Sequence, residues 1–392
     1  MSNNSKYLIV VHVVRKVIEI FLGPFLMAYL FKISTDSITT VSLYNIFAFV
    51  VIGILAVLVG SIIKNRYEML LFRFGMIFKL LQLIILVAIG KRIVKYIWLV
   101  AILSGASTIT WYFPLNLFSS TLVQNNEKKE FTIYKTILSN LVCIILPVVF
   151  GSIIDNHSFE KTAIIVLGLS IIQLFVSFRL DYKSTKTTEK RFKLMESYKK
   201  WQKNKDTREL FINSFFWGIT KEGALNTSVT LLIIITFSKD FSLGVVTSIT
   251  YLLSMISAYI SKKLITPDRM KYAIYISCII PLLGIVMLLF ITNKYTIVGY
   301  NLVYAFFIQI VEIMKEYKTL KITNSTIIND SNRVEAYVLI EMFLGFGRVI
   351  SFVLLLLVGL SNSLFLLKIL IMCLTLCLLF SGIHLTKIEV DS

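Results

Sequence analysis

Apolar residues fall along this chain in long runs, broken at intervals by short clusters of polar and basic residues. A helix needs roughly 20 residues to cross a hydrocarbon core about 30 Å thick, and the runs meet that length. A membrane barrel would leave shorter, alternating segments instead. The pattern therefore predicts an all-α membrane protein of about twelve transmembrane helices. The expected spans of the first half are 7–32, 38–63, 69–90, 95–121, 132–154 and 160–180. Those of the second half are 209–236, 242–263, 272–292, 296–320, 336–360 and 363–386. Short connections make neighbouring spans antiparallel hairpins. Arg15, Lys16 and Glu19 sit in the middle of the first run, where a signal-peptide core would not tolerate them, so that run reads as a retained helix.

Between the halves lies a polar segment, 181–208, so the expected organisation is a six-helix bundle over 1–180, this linker, and a second bundle over 209–392. Within the linker, Phe192, Met195, Tyr198 and Trp201 recur at helical spacing among lysines. Two readings stand: an amphipathic helix on the inner leaflet with lysines toward acidic headgroups, or a solvated flexible connection.

Composition agrees with the run lengths: 57% of residues are hydrophobic, 16% are charged and the mean hydropathy is +0.81. A soluble domain needs a more charged surface than that. The net charge of +18 would suggest nucleic acid in a soluble protein, but here the basic residues gather in alternate loops. With the N-terminus inside, the cytoplasmic loops hold Lys64 and Arg66, Lys128 and Lys129, Lys262, Lys263, Arg269 and Lys271, then Lys318, Lys321 and Arg333. The linker adds Lys183, Lys186, Lys190, Arg191, Lys193, Lys199, Lys200, Lys203, Lys205 and Arg208. Lys91, Arg92 and Lys95 are the exception, in an outer loop. Both termini are expected in the cytoplasm, and the location is the inner cell membrane. Cys143, Cys278, Cys373 and Cys377 lie in apolar runs without His or carboxylate company and read as apolar filler, so no metal or other cofactor is expected.

Two six-helix halves, a basic cytoplasmic linker and inside termini resemble the major facilitator superfamily. Weak internal similarity adds to this: Phe131-Thr-Ile-Tyr134 opens the fifth span after a basic loop, and Val334-Glu-Ala-Tyr337 opens the eleventh after Arg333. The loop after the second span reads Gly60-Ser-Ile-Ile-Lys64-Asn-Arg66, which keeps the glycine and a basic residue of the family's motif but has Lys64 at its aspartate position. Pro147-Val-Val-Phe-Gly151 looks like the end of the glycine-proline motif of family exporters, without its upstream glycines; a proline-bent helix packing through Gly151 fits as well. The resemblance implies parallel repeats around a substrate cavity near the bilayer midplane, with the eleventh span beside it, in a protein expected to be a monomer.

Ionisable groups at membrane depth cost several kcal/mol unless paired or wetted, so they mark candidate pathways. In the first span His12, Arg15, Lys16 and Glu19 lie along one helical stripe, with Arg15 and Glu19 one turn apart. The seventh span, its repeat equivalent, carries Lys221 and Glu222 at similar depth, below Asn213, Trp217 and Thr220. Matching depth in both repeats is what a central site requires. The eleventh span adds Glu341 and Arg348, two turns apart around Gly345 and Gly347. These charges form the expected substrate or proton pathway; closed structural ion pairs are the alternative. Trp111, Tyr112, Asn140, Asn213 and Trp217 are candidate substrate contacts, with packing as their other reading. Arg66 and Glu312 are assigned to a cytoplasmic gate, with Lys315 and Glu316 near the latter. Lys79 is deep and unexplained, and His157 and His384 suggest nothing specific.

The expected function is secondary transport of a small anionic, zwitterionic or amphiphilic solute by alternating access, with protons as candidate coupling ion and efflux favoured over uptake. A nutrient symporter or lipid flippase of the same fold, and a non-transporting sensor, are the alternatives. An enzyme is not expected: H-E-x-x-H, G-x-S-x-G and P-loop patterns do not occur. The expected partners are the solute and the lipid bilayer, with no nucleic acid.

Overall fold

The computed structural model describes residues 1–35, 37–65, 67–121, 128–181, 191–264, 266–323, 328, 332–361 and 363–389. All regular structure among them is helical. The first part holds α1 (Asn3–Ile20), a π-helical turn (Phe21–Phe25), α2 (Leu26–Ile33), α3 (Ile38–Lys64), α4 (Glu68–Ile89), a 3-10 segment (Gly90–Tyr96), α5 (Ile97–Thr121), α6 (Lys128–Asn156) and α7 (Phe159–Ser177). There follow α8 (Leu194–Trp201), α9 (Lys205–Ile219), α10 (Ala224–Thr236), α11 (Asp240–Leu264), α12 (Pro267–Phe290), α13 (Lys294–Thr323), α14 (Arg333–Ser361) and α15 (Leu364–Lys387).

Starts of these helices follow local chemistry. Ser2, Ser37, Ser158, Asn204 and Ser363 each accept a hydrogen bond from a backbone N–H three residues on, satisfying a donor with no partner inside the helix. Gly90 ends α4 at φ +54, a conformation costly for residues with a side chain, and so turns the chain into the 3-10 segment. Among the described residues, nine stretches are long and apolar enough to cross a membrane, one of them being Glu68–Leu115 with its interruption at Gly90.

Two expectations change. The first span is not a uniform helix over 7–32: it begins at Asn3 and loosens into a π turn containing Pro24, which has no N–H to give to the α ladder. The seventh span is not continuous over 209–236, because the helix stops after Ile219 and restarts at Ala224. In the linker the described helix is the eight-residue α8, where Ser197 and Trp201 are buried and Met195 is exposed. Lys183, Lys186 and Lys190 lie outside the described residues.

The chain divides into two compact units, Met1–Thr187 with Phe237–Ser248, and Thr188–Thr236 with Ile249–Ser392. In the first unit, Phe72 stacks on Trp111 with centroids 4.4 Å apart, within a core that includes Leu8, Met76 and Phe118. Glycines allow helices to touch by their backbones: a Cβ on Gly105 would stand 2.3 Å from the Ala48 carbonyl oxygen, joining α3 to α5. One on Gly244 would stand 2.2 Å from that of Pro147, joining α6 to the first turns of α11. In the second unit Gly218 and Gly347 bring α9 and α14 together in the same way. Large apolar side chains such as Phe175, Leu283 and Phe290 are exposed, while many serines and threonines are buried. That inversion of the soluble pattern suits a surface bathed in lipid.

Candidate functional site

In each unit one cluster of charged side chains sits where a helix loses its regular hydrogen-bond ladder. In the first unit Glu19 closes α1 just before the π turn. Its Oε1 accepts from Arg15 Nε at 2.9 Å and from the Tyr112 hydroxyl at 2.7 Å, and its Oε2 accepts from Lys16 Nζ at 3.1 Å. Arg15 is fixed from the other side. It donates from Nη1 to Ser107 Oγ at 3.0 Å, and Ser107 in turn donates to the Gly75 carbonyl at 2.6 Å. Its guanidinium also lies 5.1 Å from the centre of the Trp111 ring. The close approach of α4 to α5 at Gly75 makes this chain of contacts reachable.

The sequence thus brings Arg15, Lys16, Glu19, Trp111 and Tyr112 together. Trp111 is fully buried, whereas Glu19 and Lys16 keep side-chain exposures of 24% and 33%, enough for another group to reach them. Ser107 was not legible in the sequence, because a serine in an apolar helix is common and its partner comes from a different span. Asn140 is half-buried on α6.

In the second unit the break between α9 and α10 presents Lys221 and Glu222. Glu222 N donates to the Trp217 carbonyl at 3.3 Å, and Gly223 N to that of Thr220 at 3.1 Å. Only glycine fits at 223, where a Cβ would stand 2.3 Å from the Gly218 carbonyl oxygen. The restarting helix is held by Ser351, whose Oγ accepts from Ala224 N at 3.0 Å. Arg348, nine-tenths buried on α14, donates to both Glu222 and Glu341. Lys221 lies 3.6 Å from Glu312, and Lys315 stands 5.2 Å from the centre of the Trp217 ring. Lys221, Glu222, Glu312, Glu341, Arg348 and Trp217 therefore gather in one region of this unit.

Asn213 stands apart from that group: its Nδ2 donates to the carbonyl and hydroxyl oxygens of Ser381 at 2.8 and 2.9 Å, tying α9 to α15. Arg66 lies outside the described residues. Two arrangements escaped the sequence reading. Lys79, buried on α4, donates to Gln82 Oε1 at 2.8 Å, and Gln82 donates to the Tyr44 hydroxyl at 3.0 Å. His384 Nδ1 lies 2.6 Å from Glu209 Oε2. Its signal was hidden because the partners are 175 residues apart. Among the described residues no group of His, Cys, Asp and Glu is placed to hold a metal ion.

No family model matches the chain. It is 24% identical over 333 residues to the uncharacterized protein YqgE of Bacillus subtilis (strain 168), covering 84% of this chain and 76% of that one. Its backbone is similar to crystal structures of the nucleoside transporter NupG, with a TM-score of 0.71, 12% identity and coverage of 99% of this chain and all of that one. A mutant of NupG gives a TM-score of 0.75 at 13% identity, covering 98% of this chain and 100% of that one. A bacterial homologue of the iron transporter ferroportin, in an inward-facing state, gives 0.68 at 11% identity, again covering 98% of this chain and 100% of that chain. At such identities the likeness speaks for the path of the backbone, and it extends over nearly the whole chain: this protein has the major facilitator fold.

Proposed function

We propose that the protein is a secondary transporter of a small solute, working by alternating access. The observation that carries the proposal is the paired design of the two clusters. In each unit a carboxylate, Glu19 or Glu222, lies at an interruption of a membrane helix and is held by an arginine. Interrupted helices with polar groups at the break recur at transporter binding sites, because the freed backbone is tolerated only beside protein or a wet cavity. Arg15, Lys16, Glu19, Lys221, Glu222, Glu341 and Arg348 form the solute and proton pathway, with Tyr112 and Trp217 as contacts and Arg66 and Glu312 at the cytoplasmic gate. The solute is anionic, zwitterionic or amphiphilic and leaves the cell in exchange for protons.

Twelve crossings in two six-helix halves fit this reading. The long stretch Glu68–Leu115 folds back at Gly90 and counts as two crossings, and the interrupted spans at the two clusters supply the two crossings that lie beyond the nine stretches. The chain works as a monomer in the inner membrane with both termini in the cytoplasm, and its basic linker rests near acidic headgroups.

The test is a thermal-shift screen of purified protein against metabolites, lipids and drugs, followed by flux of the stabilising compounds in proteoliposomes. Solute-dependent stabilisation and flux are expected, both lost in Glu19→Gln and Glu222→Gln. Accumulation driven by a gradient and unchanged in Glu19→Gln would remove proton coupling from the proposal. One observation favours a second reading, a non-transporting sensor: Arg348 already has two carboxylate partners, as a closed structural pair would. Ligand-dependent stabilisation without flux would select it.

A further inference from the structure

Lys79 lies midway along α4 and is buried. Its Nζ donates to Gln82 Oε1 at 2.8 Å, and the Gln82 amide is held in that orientation by its own bond to the Tyr44 hydroxyl, at 3.0 Å. A carboxamide oxygen accepts from an amine and from an ammonium alike, and it brings no negative charge. The elements packed on α4 bring none at that depth either. α5 contains no charged residue, and its titratable Tyr112 is engaged with Glu19. Lys64 of α3 and Glu160 and Lys161 of α7 stand at helix ends, and Lys91, Arg92 and Lys95 lie in the 3-10 segment. On α4 itself Glu68 and Arg73 belong to the first two turns, with Arg73 over the Phe178 ring. The charged groups that act on Lys79 are Arg15 and Glu19 of α1, one cationic and one anionic.

Burial in apolar surroundings favours the uncharged form of an amine. Glu19 is in the contrary position. Arg15, Lys16 and Tyr112 all donate to it, and such bonds favour the ionised carboxylate. A neutral Lys79 that donates to Gln82 keeps its lone pair for a proton, whereas Glu19 already accepts from three donors.

We propose that Lys79 is the proton-carrying residue of the first unit: it rests as a neutral amine and binds the coupling proton, while Glu19 supplies the counter-charge that makes the ammonium tolerable. This rests on the transporter reading and deepens it by naming the group that takes the proton. The proton adds to the Nζ lone pair on entry and leaves it on exit, and Glu19 stays ionised throughout. Its effect reaches the cluster through Arg15, which donates to Ser107, which donates to the carbonyl of Gly75, one turn before Lys79 on α4. A new cation at Lys79 repels the guanidinium and attracts Glu19. It therefore disturbs the ion pair beside the π turn of the first span.

The charge state can be read without a solute, by unfolding the purified full chain with SDS in mixed micelles between about pH 7 and 9. A lysine neutral in the folded chain and charged in the unfolded one takes up a proton on unfolding, so stability rises with pH up to the ordinary lysine range. The unfolding constant of the wild type, divided by that of Lys79→Met, is expected to fall by about tenfold or more over that interval. The same ratio taken to Lys91→Met, in the 3-10 segment, should stay flat. Gln82→Glu places a fixed carboxylate beside the amine and should abolish the slope as Lys79→Met does, so it serves should Lys79→Met fail to fold. Ratios to these two variants that stay constant within about twofold would mean a charged Lys79 and overturn the proposal. The coupling role is read in proteoliposomes. A compound that an imposed proton gradient concentrates in wild-type vesicles should only equilibrate in Lys79→Met vesicles, and accumulation that persists there also overturns the proposal. Failure of the transporter reading looks different: the pH slope remains, but no compound crosses even with the wild type.

Discussion

Glu222 and Arg348 lie 126 residues apart in the chain and form an ion pair at the point where the helix of the seventh span is interrupted. The pair holds a break in place. Glu222 is free to leave the helical path because its backbone N–H is satisfied by Trp217, and Arg348 meets it because α14 packs on α9 without intervening side chains. Removing the guanidinium would leave two carboxylates facing each other in a poorly hydrated site. Arg348→Gln should therefore destabilise the protein by about 2–4 kcal/mol, toward the lower end because both carboxylates keep some water. Thermal unfolding in detergent reads this, and adding Glu222→Gln should recover part of the loss. Equal stabilities for the single and double variants would show that the pair carries no coupling.

The close approach that makes the pair possible depends on Gly347. A Cβ there would stand 2.1 Å from the Phe215 carbonyl oxygen, a backbone atom that cannot swing aside. Gly347→Ala is expected to force α9 and α14 apart and cost about 1–3 kcal/mol. Gly168 on α7, which has nothing within 4 Å of an added Cβ, supplies the comparison, and Gly168→Ala should leave Tm unchanged or slightly raised. A Gly347→Ala protein as stable as Gly168→Ala would mean that the helices part at no cost.

Much of this fold was legible because lipid imposes a simple rule: a crossing segment must be apolar and long enough, and both properties stand in the sequence. The charged stripe of Arg15, Lys16 and Glu19 was legible for the same reason, since helical spacing alone places those residues together. The breaks were harder to see. Hydrophobicity does not report where a backbone hydrogen-bond ladder stops, so both interrupted spans read as continuous. Pro24 and the glycines at 218 and 223 were the available signals. The partners of Lys79, His384 and Asn213 were hidden for another reason: whether a polar residue meets lipid, water or a neighbour depends on which helix packs beside it. Lys79 and Gln82 are three apart and could have been paired by spacing, yet Tyr44, which completes that contact, comes from α3.

Tyr112 gives a finer test of the first cluster. Its hydroxyl donates to the same Glu19 oxygen that Arg15 holds, so Tyr112→Phe removes one bond to a charged acceptor while keeping the ring. The expected loss of stability is about 1 kcal/mol, less than a buried charge-assisted bond yields, because water can reach Glu19. With Glu19→Gln already present, Tyr112→Phe should cost little more. A full additive loss in the double variant would place the hydroxyl's contribution elsewhere.

Orientation can be tested without knowing the solute. Lys64, Lys318, Lys321 and Arg333 lie at one end of their helices, and α8 and the start of α9 add exposed Lys199, Lys200, Lys203, Lys205 and Arg208 in the linker. Lys91, Arg92 and Lys95 follow α4 at its opposite end, fewer in number. Translocation is opposed by basic residues in short loops near membrane helices, so the richer side should stay in the cytoplasm. A fluorescent protein that matures only in the cytoplasm, fused after residue 389, should glow, while alkaline phosphatase at the same place should be inactive. The same two reporters inserted after Ile93, in the 3-10 segment, should give the opposite result. Active phosphatase at the C-terminus would invert the topology and place the basic linker outside. The Lys205–Glu389 pair, at 2.7 Å, makes the outcome at one site bear on the other, since it holds the start of α9 and the end of the described chain on the same side.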